Sequence, residues 1–123
     1  MGKVILIVED DPKSLTLTKD LLRLSGFTTI QATDGKQGVE LAKAVKPDLI
    51  LMDIMMPKMD GYAACRAVKA DQATSNIPVV MLTAVGYELN KKLAEQVGAD
   101  GYVTKPFGRQ ELMDAIIPLL ATS

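Results

Sequence analysis

Residues 4–11 read VILIVEDD, so that five apolar residues run directly into three acids. A short, continuous apolar run of this kind is typical of a buried strand in a parallel sheet. Two later runs repeat the pattern, because residues 49–52 (LILM) stop on Asp53 and residues 79–82 (VVML) stop on Thr83. If these strands lie parallel, their polar ends converge at one edge of the sheet.

Two weaker strand candidates complete the set. Residues 27–31 (FTTIQ) are partly polar, and residues 102–104 (YVT) form a short run that leads into Lys105 and Pro106. Helical patterns separate the runs, starting after capping acids such as Asp11. In the last helix, Pro118 is expected to kink or shorten the helix.

Five β–α pairs with short connections predict an α/β fold over a single domain, residues 1–123. We expect a (βα)5 doubly wound, five-stranded parallel sheet of the flavodoxin-like type, with helices on both faces. The two polar runs belong at the sheet edges, which gives the strand order 2-1-3-4-5. The ligand crevice of such a sheet opens where the order reverses, between strands one and three.

Composition excludes several classes of function. The net charge of −1 and the absence of any block of like charge argue against nucleic-acid binding and against a membrane-surface helix. A chain with no His has no serine-type triad and no imidazole metal ligand. The single Cys cannot form an internal disulfide, which fits a cytoplasmic location.

The acids are the strongest chemical signal. Glu9, Asp10 and Asp53 are expected to meet at the crevice, and three carboxylates repel each other unless a cation lies among them. Oxygen ligands alone favour a hard cation such as Mg²⁺, with Mn²⁺ able to substitute. Residues 9–11 could equally be capping acids, and Asp11, directly before Pro12, fits that reading best.

Asp53 and two further side chains at this edge suit phosphoryl chemistry. Asp53 ends a buried strand, and its carboxylate could attack phosphorus to form an acyl phosphate. Thr83 could donate to a phosphoryl oxygen or could simply cap the next helix. Lys105 could neutralise the acids and contact the same phosphoryl group, although a lone lysine is usually solvated. The Lys105–Pro106 bond is a candidate cis peptide.

These residues resemble the signature of bacterial response-regulator receiver domains of the chemotaxis-regulator type. The resemblance covers nearly the whole chain and rests on four separated motifs: residues 9–10 (ED), 53–61 (DIMMPKMDG), 83–84 (TA) and 105–107 (KPF). It implies that Asp53 accepts a phosphoryl group from a sensor histidine kinase or a histidine phosphotransfer protein in a two-component phosphorelay.

The resemblance also implies roles for the other residues. Mg²⁺ would be held by Asp10, Asp53 and the backbone carbonyl of Met55, with Glu9 acting largely through water. Thr83 and Tyr102 would be the switch pair, with Lys105 on the phosphoryl oxygens. The output surface would be a protein-binding face formed by the fourth helix, fifth strand and fifth helix.

Alternative functions stay open on the residues alone. The start at Met1 favours a stand-alone receiver over a fragment of a hybrid kinase or larger regulator. A Mg²⁺-dependent aspartyl phosphatase needs a second Asp where this chain has Met55. A flavodoxin-like cofactor binder needs a phosphate loop where this chain has three acids. A phosphate-independent interaction module would leave the convergent polar residues without a role.

Overall fold

The computed structural model of the chain describes residues 2–54, 56, 59–84 and 88–120. Strands and helices alternate throughout that part of the chain. In order, they are β1 (Val4–Val8), α1 (Pro12–Leu24), β2 (Thr28–Ala32), α2 (Gly35–Val45), β3 (Leu49–Asp53), α3 (Gly61–Ala70), β4 (Val79–Ala84), α4 (Glu88–Gln96), β5 (Gly101–Lys105) and α5 (Arg109–Leu120).

The strands form one parallel sheet in the order β2-β1-β3-β4-β5, as the sequence predicted. All five residues of β3 are buried, whereas the edge strand β2 has one buried residue, Ala32. The edge strand β5 buries only Val103. The polar sequences of β2 and β5 are therefore explained by their position, because an edge strand keeps contact with water.

The sheet carries an apolar core on each face, because alternate strand residues point to opposite sides. Leu6 and Val8 of β1 pack in a core with residues of α2, α3 and α4. Ile5 and Ile7 of the same strand pack in a second core with residues of α1 and α5. The continuous apolar runs in the sequence follow from burial on both faces.

Capping aspartates start the first three helices. Asp11, Asp34 and Asp60 each accept a hydrogen bond from the backbone N–H three residues further along, at 2.8 to 2.9 Å. Each bond satisfies one of the N–H groups that the first turn of a helix leaves without an internal partner. The capping role proposed for Asp11 is therefore confirmed, and Pro12 occupies the first helical position.

The sequence predicted that Pro118 would kink or shorten α5, and the shortening is wrong. Pro118 does not shorten this helix, which continues past it to Leu120. A proline removes one helical N–H and crowds the carbonyl four residues earlier. The helix therefore continues through Pro118 despite the loss of this one hydrogen bond. None of the helices in the described residues is long and apolar enough to cross a membrane.

The buried thiol of Cys65 gives a test of the packing. Cys65 of α3 is buried in the core, where its Sγ donates to the Val97 carbonyl at 3.6 Å. Burial raises the pKa of this thiol to about 11. The reactive thiolate is therefore scarce at neutral pH.

We predict that Cys65 in the folded protein reacts with a disulfide reagent at pH 8 at least about 100-fold more slowly than in urea, because only about a thousandth of the buried thiol is ionised. The release of the coloured thiolate measures the rate. Equal rates in the folded and unfolded chain would contradict the packing of α3 described above.

Candidate functional site

The strand register brings the sequence-predicted residues to one edge of the sheet. Val8 of β1 pairs with Met52 of β3, so Glu9 and Asp53 are the next residues along two neighbouring strands. Asp53 pairs with Leu82 of β4, and Thr83 follows directly. The strands β1, β3, β4 and β5 lead to or carry these groups and Lys105. Because they run parallel, all four end at this edge of the sheet.

Three carboxylates cluster at this edge. One oxygen each from Glu9, Asp10 and Asp53 lies within 4.8 Å of the others. Glu9 is 1% exposed and Asp53 7% exposed, whereas Asp10 faces solvent. The cluster is therefore buried at Glu9 and Asp53 and open to solvent at Asp10, so that a ligand can reach it from that side.

Lys105 reaches across the sheet to the two buried acids. Its Nζ lies 2.6 Å from Oε1 of Glu9 and 3.3 Å from Oδ1 of Asp53. Lys105 ends β5, where it pairs with Ala84 of β4. The Lys105–Pro106 peptide bond is cis, as the sequence suggested. The tight pairing with Glu9 was not expected from the sequence, which indicated only that Lys105 balances the acids.

Burial and the neighbouring charges shift the pKa values of Asp53 and Lys105. Burial, together with the hydrogen bond and negative charge of Glu9, raises the pKa of Asp53 to about 7, and Lys105 only partly opposes this. Burial lowers the pKa of Lys105, but the hydrogen bond to Glu9 and the charges of Asp53 and Glu9 outweigh it and raise the pKa overall. Lys105 is therefore a permanent cation at physiological pH.

The residues present fit a divalent metal ion. When all groups are ionised, three carboxylates against one ammonium leave two negative charges at the site. The ligand atoms are all oxygens, which suits a hard cation such as Mg²⁺ better than zinc or copper. Met55, whose carbonyl the family resemblance implies as a further ligand, lies outside the described residues.

Thr83 and Tyr102 occupy neighbouring strands beside the cluster. Thr83 is 4% exposed, so its side chain is buried next to the strand end that carries Asp53. Tyr102 of β5 pairs with Met81 of β4 and is 40% exposed. The two residues named as a switch pair therefore differ sharply in burial. Their roles as a pair stay a prediction.

One residue important to the site was not singled out by its chemistry. Gly61, the first residue of α3, donates its N–H to the Ile54 carbonyl at 2.9 Å. A Cβ at this position would overlap the carbonyl oxygen of Asp53. Only glycine lets α3 start this close to the strand end. The sequence signal was a glycine directly after the capping Asp60.

Comparison with known proteins shows the family to which this fold belongs. The family model for the response regulator receiver domain matches residues 5–117. The chain belongs to the response-regulator receiver family. Receiver domains of this family use Mg²⁺ and interact with histidine kinases, and they are signalling domains rather than classical enzymes.

Curated relatives of this receiver domain are response regulators. It is 42% identical over 116 residues to the DNA-binding dual master transcriptional regulator RpaA of Synechocystis sp., covering 94% of this chain and 48% of RpaA. It is 39% identical over 123 residues to the alkaline phosphatase synthesis transcriptional regulatory protein PhoP of Bacillus subtilis, covering all of this chain and 50% of PhoP. The chain thus spans about half the length of these relatives.

Solved structures show the same fold. The receiver domain of the sensor histidine kinase PA1611 from Pseudomonas aeruginosa PAO1, which has a magnesium ion coordinated in its active site cleft, matches with a TM-score of 0.90 and 35% identity over the full length of both chains. The chemotaxis response regulator CheY4 of Vibrio cholerae matches with a TM-score of 0.90 and 26% identity, covering 97% of this chain and 99% of CheY4.

The raised pKa of Asp53 predicts a pH-dependent stability in the metal-free receiver domain. The folded pKa of about 7 lies above the ordinary value of 3.8, so the folded state binds more protons between these values. Stability is therefore lost as the pH rises through this window. We expect Asp53→Asn to raise the free energy of unfolding at pH 8 by about 1 to 3 kcal/mol, with little effect near pH 4.

Urea unfolding in the presence of EDTA measures this difference at both pH values. Asp20→Asn, which changes an exposed carboxylate of α1, is the matched control and should leave stability nearly unchanged at both. If Asp53→Asn stabilises the protein equally at pH 4 and pH 8, or not at all, the electrostatic account of the cluster is wrong.

Proposed function

We propose that this receiver domain accepts a phosphoryl group on the Asp53 carboxylate, in a reaction that requires Mg²⁺. The observation that carries the proposal is the position of Asp53, buried at the strand end with Glu9 and Asp10 within 4.8 Å and Lys105 Nζ at 3.3 Å. A carboxylate in this setting has both a fixed direction and a nearby cation to offset the charge that phosphorylation adds.

The chemistry is a displacement at phosphorus. An Asp53 oxygen attacks the phosphorus of a phosphohistidine, the new O–P bond forms, and the P–N bond breaks with its electron pair left on the imidazole nitrogen. Phosphoryl transfer depends on positioning and charge neutralisation more than on a general base. The absence of His from this chain is therefore no obstacle.

Glu9, Asp10 and Asp53 would hold the metal ion, together with the backbone carbonyl of Met55, and Mn²⁺ would substitute for Mg²⁺. When bound, the ion supplies charge neutralisation for the phosphoryl oxygens. The Lys105 ammonium, already within hydrogen-bonding distance of Glu9 and Asp53, would contact the phosphoryl group from the β5 side. The Thr83 hydroxyl would donate to another phosphoryl oxygen.

We further propose that the phosphoryl group switches a protein-binding surface. Thr83 would move toward the phosphoryl group, and the half-exposed Tyr102 would rotate inward behind it. This rearrangement would change the face formed by α4, β5 and α5, where a downstream protein binds. Phosphorylation suits such a switch because it adds charge and three strong acceptor oxygens to a site that is already crowded with charge.

The partners follow from this assignment. The phosphodonor would be a sensor histidine kinase or a histidine phosphotransfer protein in the cytoplasm, where ATP is found. The domain would promote only its own phosphorylation and dephosphorylation. The names of RpaA and PhoP connect those relatives to transcription. For the domain itself, with a net charge of −1, we propose no direct contact with nucleic acid or membrane.

Incubation with Mg²⁺ and acetyl phosphate, followed by intact mass measurement, tests the phosphoacceptor. One phosphoryl group should be added, and it should be lost on mild alkaline treatment because acyl phosphates hydrolyse readily. Asp53→Asn or an excess of EDTA should abolish the addition, whereas the exposed-site control Asp20→Asn should retain it. Phosphorylation of Asp53→Asn at the wild-type rate would refute the assignment.

The switch predicts a change at Tyr102. Phosphorylation should lower the rate at which tetranitromethane nitrates Tyr102 by a factor of about 3 or more, since a ring turned inward loses its solvent exposure. Peptide mass spectrometry measures nitration at this site. Thr83→Ala should still be phosphorylated but should keep the unphosphorylated nitration rate. A rate that is unaffected by phosphorylation in the wild-type domain would count against the switch pair.

A further inference from the structure

Helix α2 packs closely against the backbone of Met59. A Cβ at Gly35, the first residue of α2, would overlap the backbone carbonyl oxygen of Met59 and lie 3.1 Å from the carbonyl carbon. The overlap is with backbone atoms, so no side-chain rotation can relieve it. The close approach therefore depends on residue 35 having no side chain.

The backbone at Met59 is linked to Asp53 through Gly61. Met59 lies two residues before Gly61, which itself packs against the Asp53 carbonyl and donates its N–H to Ile54. Asp60, between them, caps α3. Gly61 thus packs against the backbone of Asp53, and Gly35 packs against Met59, two residues before Gly61.

The start of α2 is itself firmly fixed. The Gln37 N–H donates to the Asp34 carboxylate at 2.8 Å, and the Gln37 side-chain oxygen accepts from the Thr33 N–H at 2.8 Å. This reciprocal pair resembles a capping box, which fixes the first turn of a helix. One turn further on, a Cβ at Gly38 would lie 2.8 Å from Val8 of β1, so α2 also packs tightly on the sheet. Pressure at residue 35 would therefore displace the segment at Met59.

We propose that Gly35 is a positioning residue for the metal and phosphoryl site, acting through the backbone of Met59 and Gly61 on Asp53. This inference rests on the proposed function and adds a residue on α2, outside the polar cluster, to the groups on which the site depends. Gly35 touches none of the reacting atoms. Its contribution is the space that lets the backbone of Met59 and Gly61 hold Asp53 at its distance from Glu9 and Asp10.

The expected consequence is weaker metal binding. Three carboxylates that share one ion must keep their separations, because each ligand distance of a small divalent cation has little tolerance. Residues that orient metal ligands without touching the metal typically change affinity about 10-fold to 100-fold when altered. We therefore expect Gly35→Ala to lower the Mg²⁺ affinity about 10-fold.

A Mg²⁺ titration followed by the amide signals of Glu9 and Asp10 in NMR spectra measures this affinity and reports at the same time whether each variant is folded. The matched control is Ala42→Gly, which removes a buried methyl group from the middle of the same helix. It should lower the melting temperature, since it weakens α2, but should leave the Mg²⁺ affinity within about 2-fold of wild type.

A second pair of variants serves if Gly35→Ala does not fold. Asp34→Ala and Asp34→Asn remove the same charge, but asparagine keeps a side-chain oxygen that can accept from the Gln37 N–H. If the start of α2 positions the site, Asp34→Ala should bind Mg²⁺ at least about 3-fold more weakly than Asp34→Asn. If only the loss of the charge mattered, the two variants would bind Mg²⁺ equally well.

The outcomes separate the two proposals. A wild-type domain that binds no Mg²⁺ would overturn the proposed function, and the role of Gly35 with it. A wild-type domain that binds Mg²⁺ while folded Gly35→Ala binds it equally well would overturn only the role of Gly35. That role is also overturned if Gly35→Ala is unfolded and the two Asp34 variants bind Mg²⁺ equally. A 10-fold loss confined to Gly35→Ala, with Ala42→Gly unchanged, would support it.

Discussion

Three carboxylates and one ammonium group share the edge of the sheet where β1, β3 and β5 end, and their charges do not balance. Glu9 and Asp53 are buried there, with Asp10 beside them, and when all three carboxylates are ionised Lys105 offsets only one of their negative charges. A cluster of this kind is unfavourable unless another cation joins it. The rest of the fold can be understood as a rigid support that holds the charges in this arrangement.

The support comes from burial on both faces of the sheet. The strand residues that precede the acids belong to the two cores, so the strand ends are fixed while the charged groups face the open edge. Close backbone packing adds to this rigidity, since Gly61 brings α3 against the Asp53 carbonyl. A site that is held rigidly and carries more negative than positive charge is suited to bind a divalent cation.

Family membership establishes the kind of domain, whereas the site chemistry indicates what its residues can bind. The match over residues 5–117 and the structural similarity to a magnesium-bound receiver domain establish what kind of domain this is. The relatives RpaA and PhoP are about twice as long as this chain. The shared architecture therefore extends over about half of each of these relatives.

The sequence by itself determined the fold and most of the site. Apolar runs that end in Asp53 and Thr83 indicate buried parallel strands, and the polar runs mark β2 and β5 as edges, because burial dictates residue type along a strand. Only the tertiary structure decided the pairing of Lys105 with Glu9, which are 96 residues apart, and the contact of Gly35 with Met59. Such contacts depend on distances between separate elements, and a glycine or lysine in the sequence carries no record of which backbone or carboxylate it will meet.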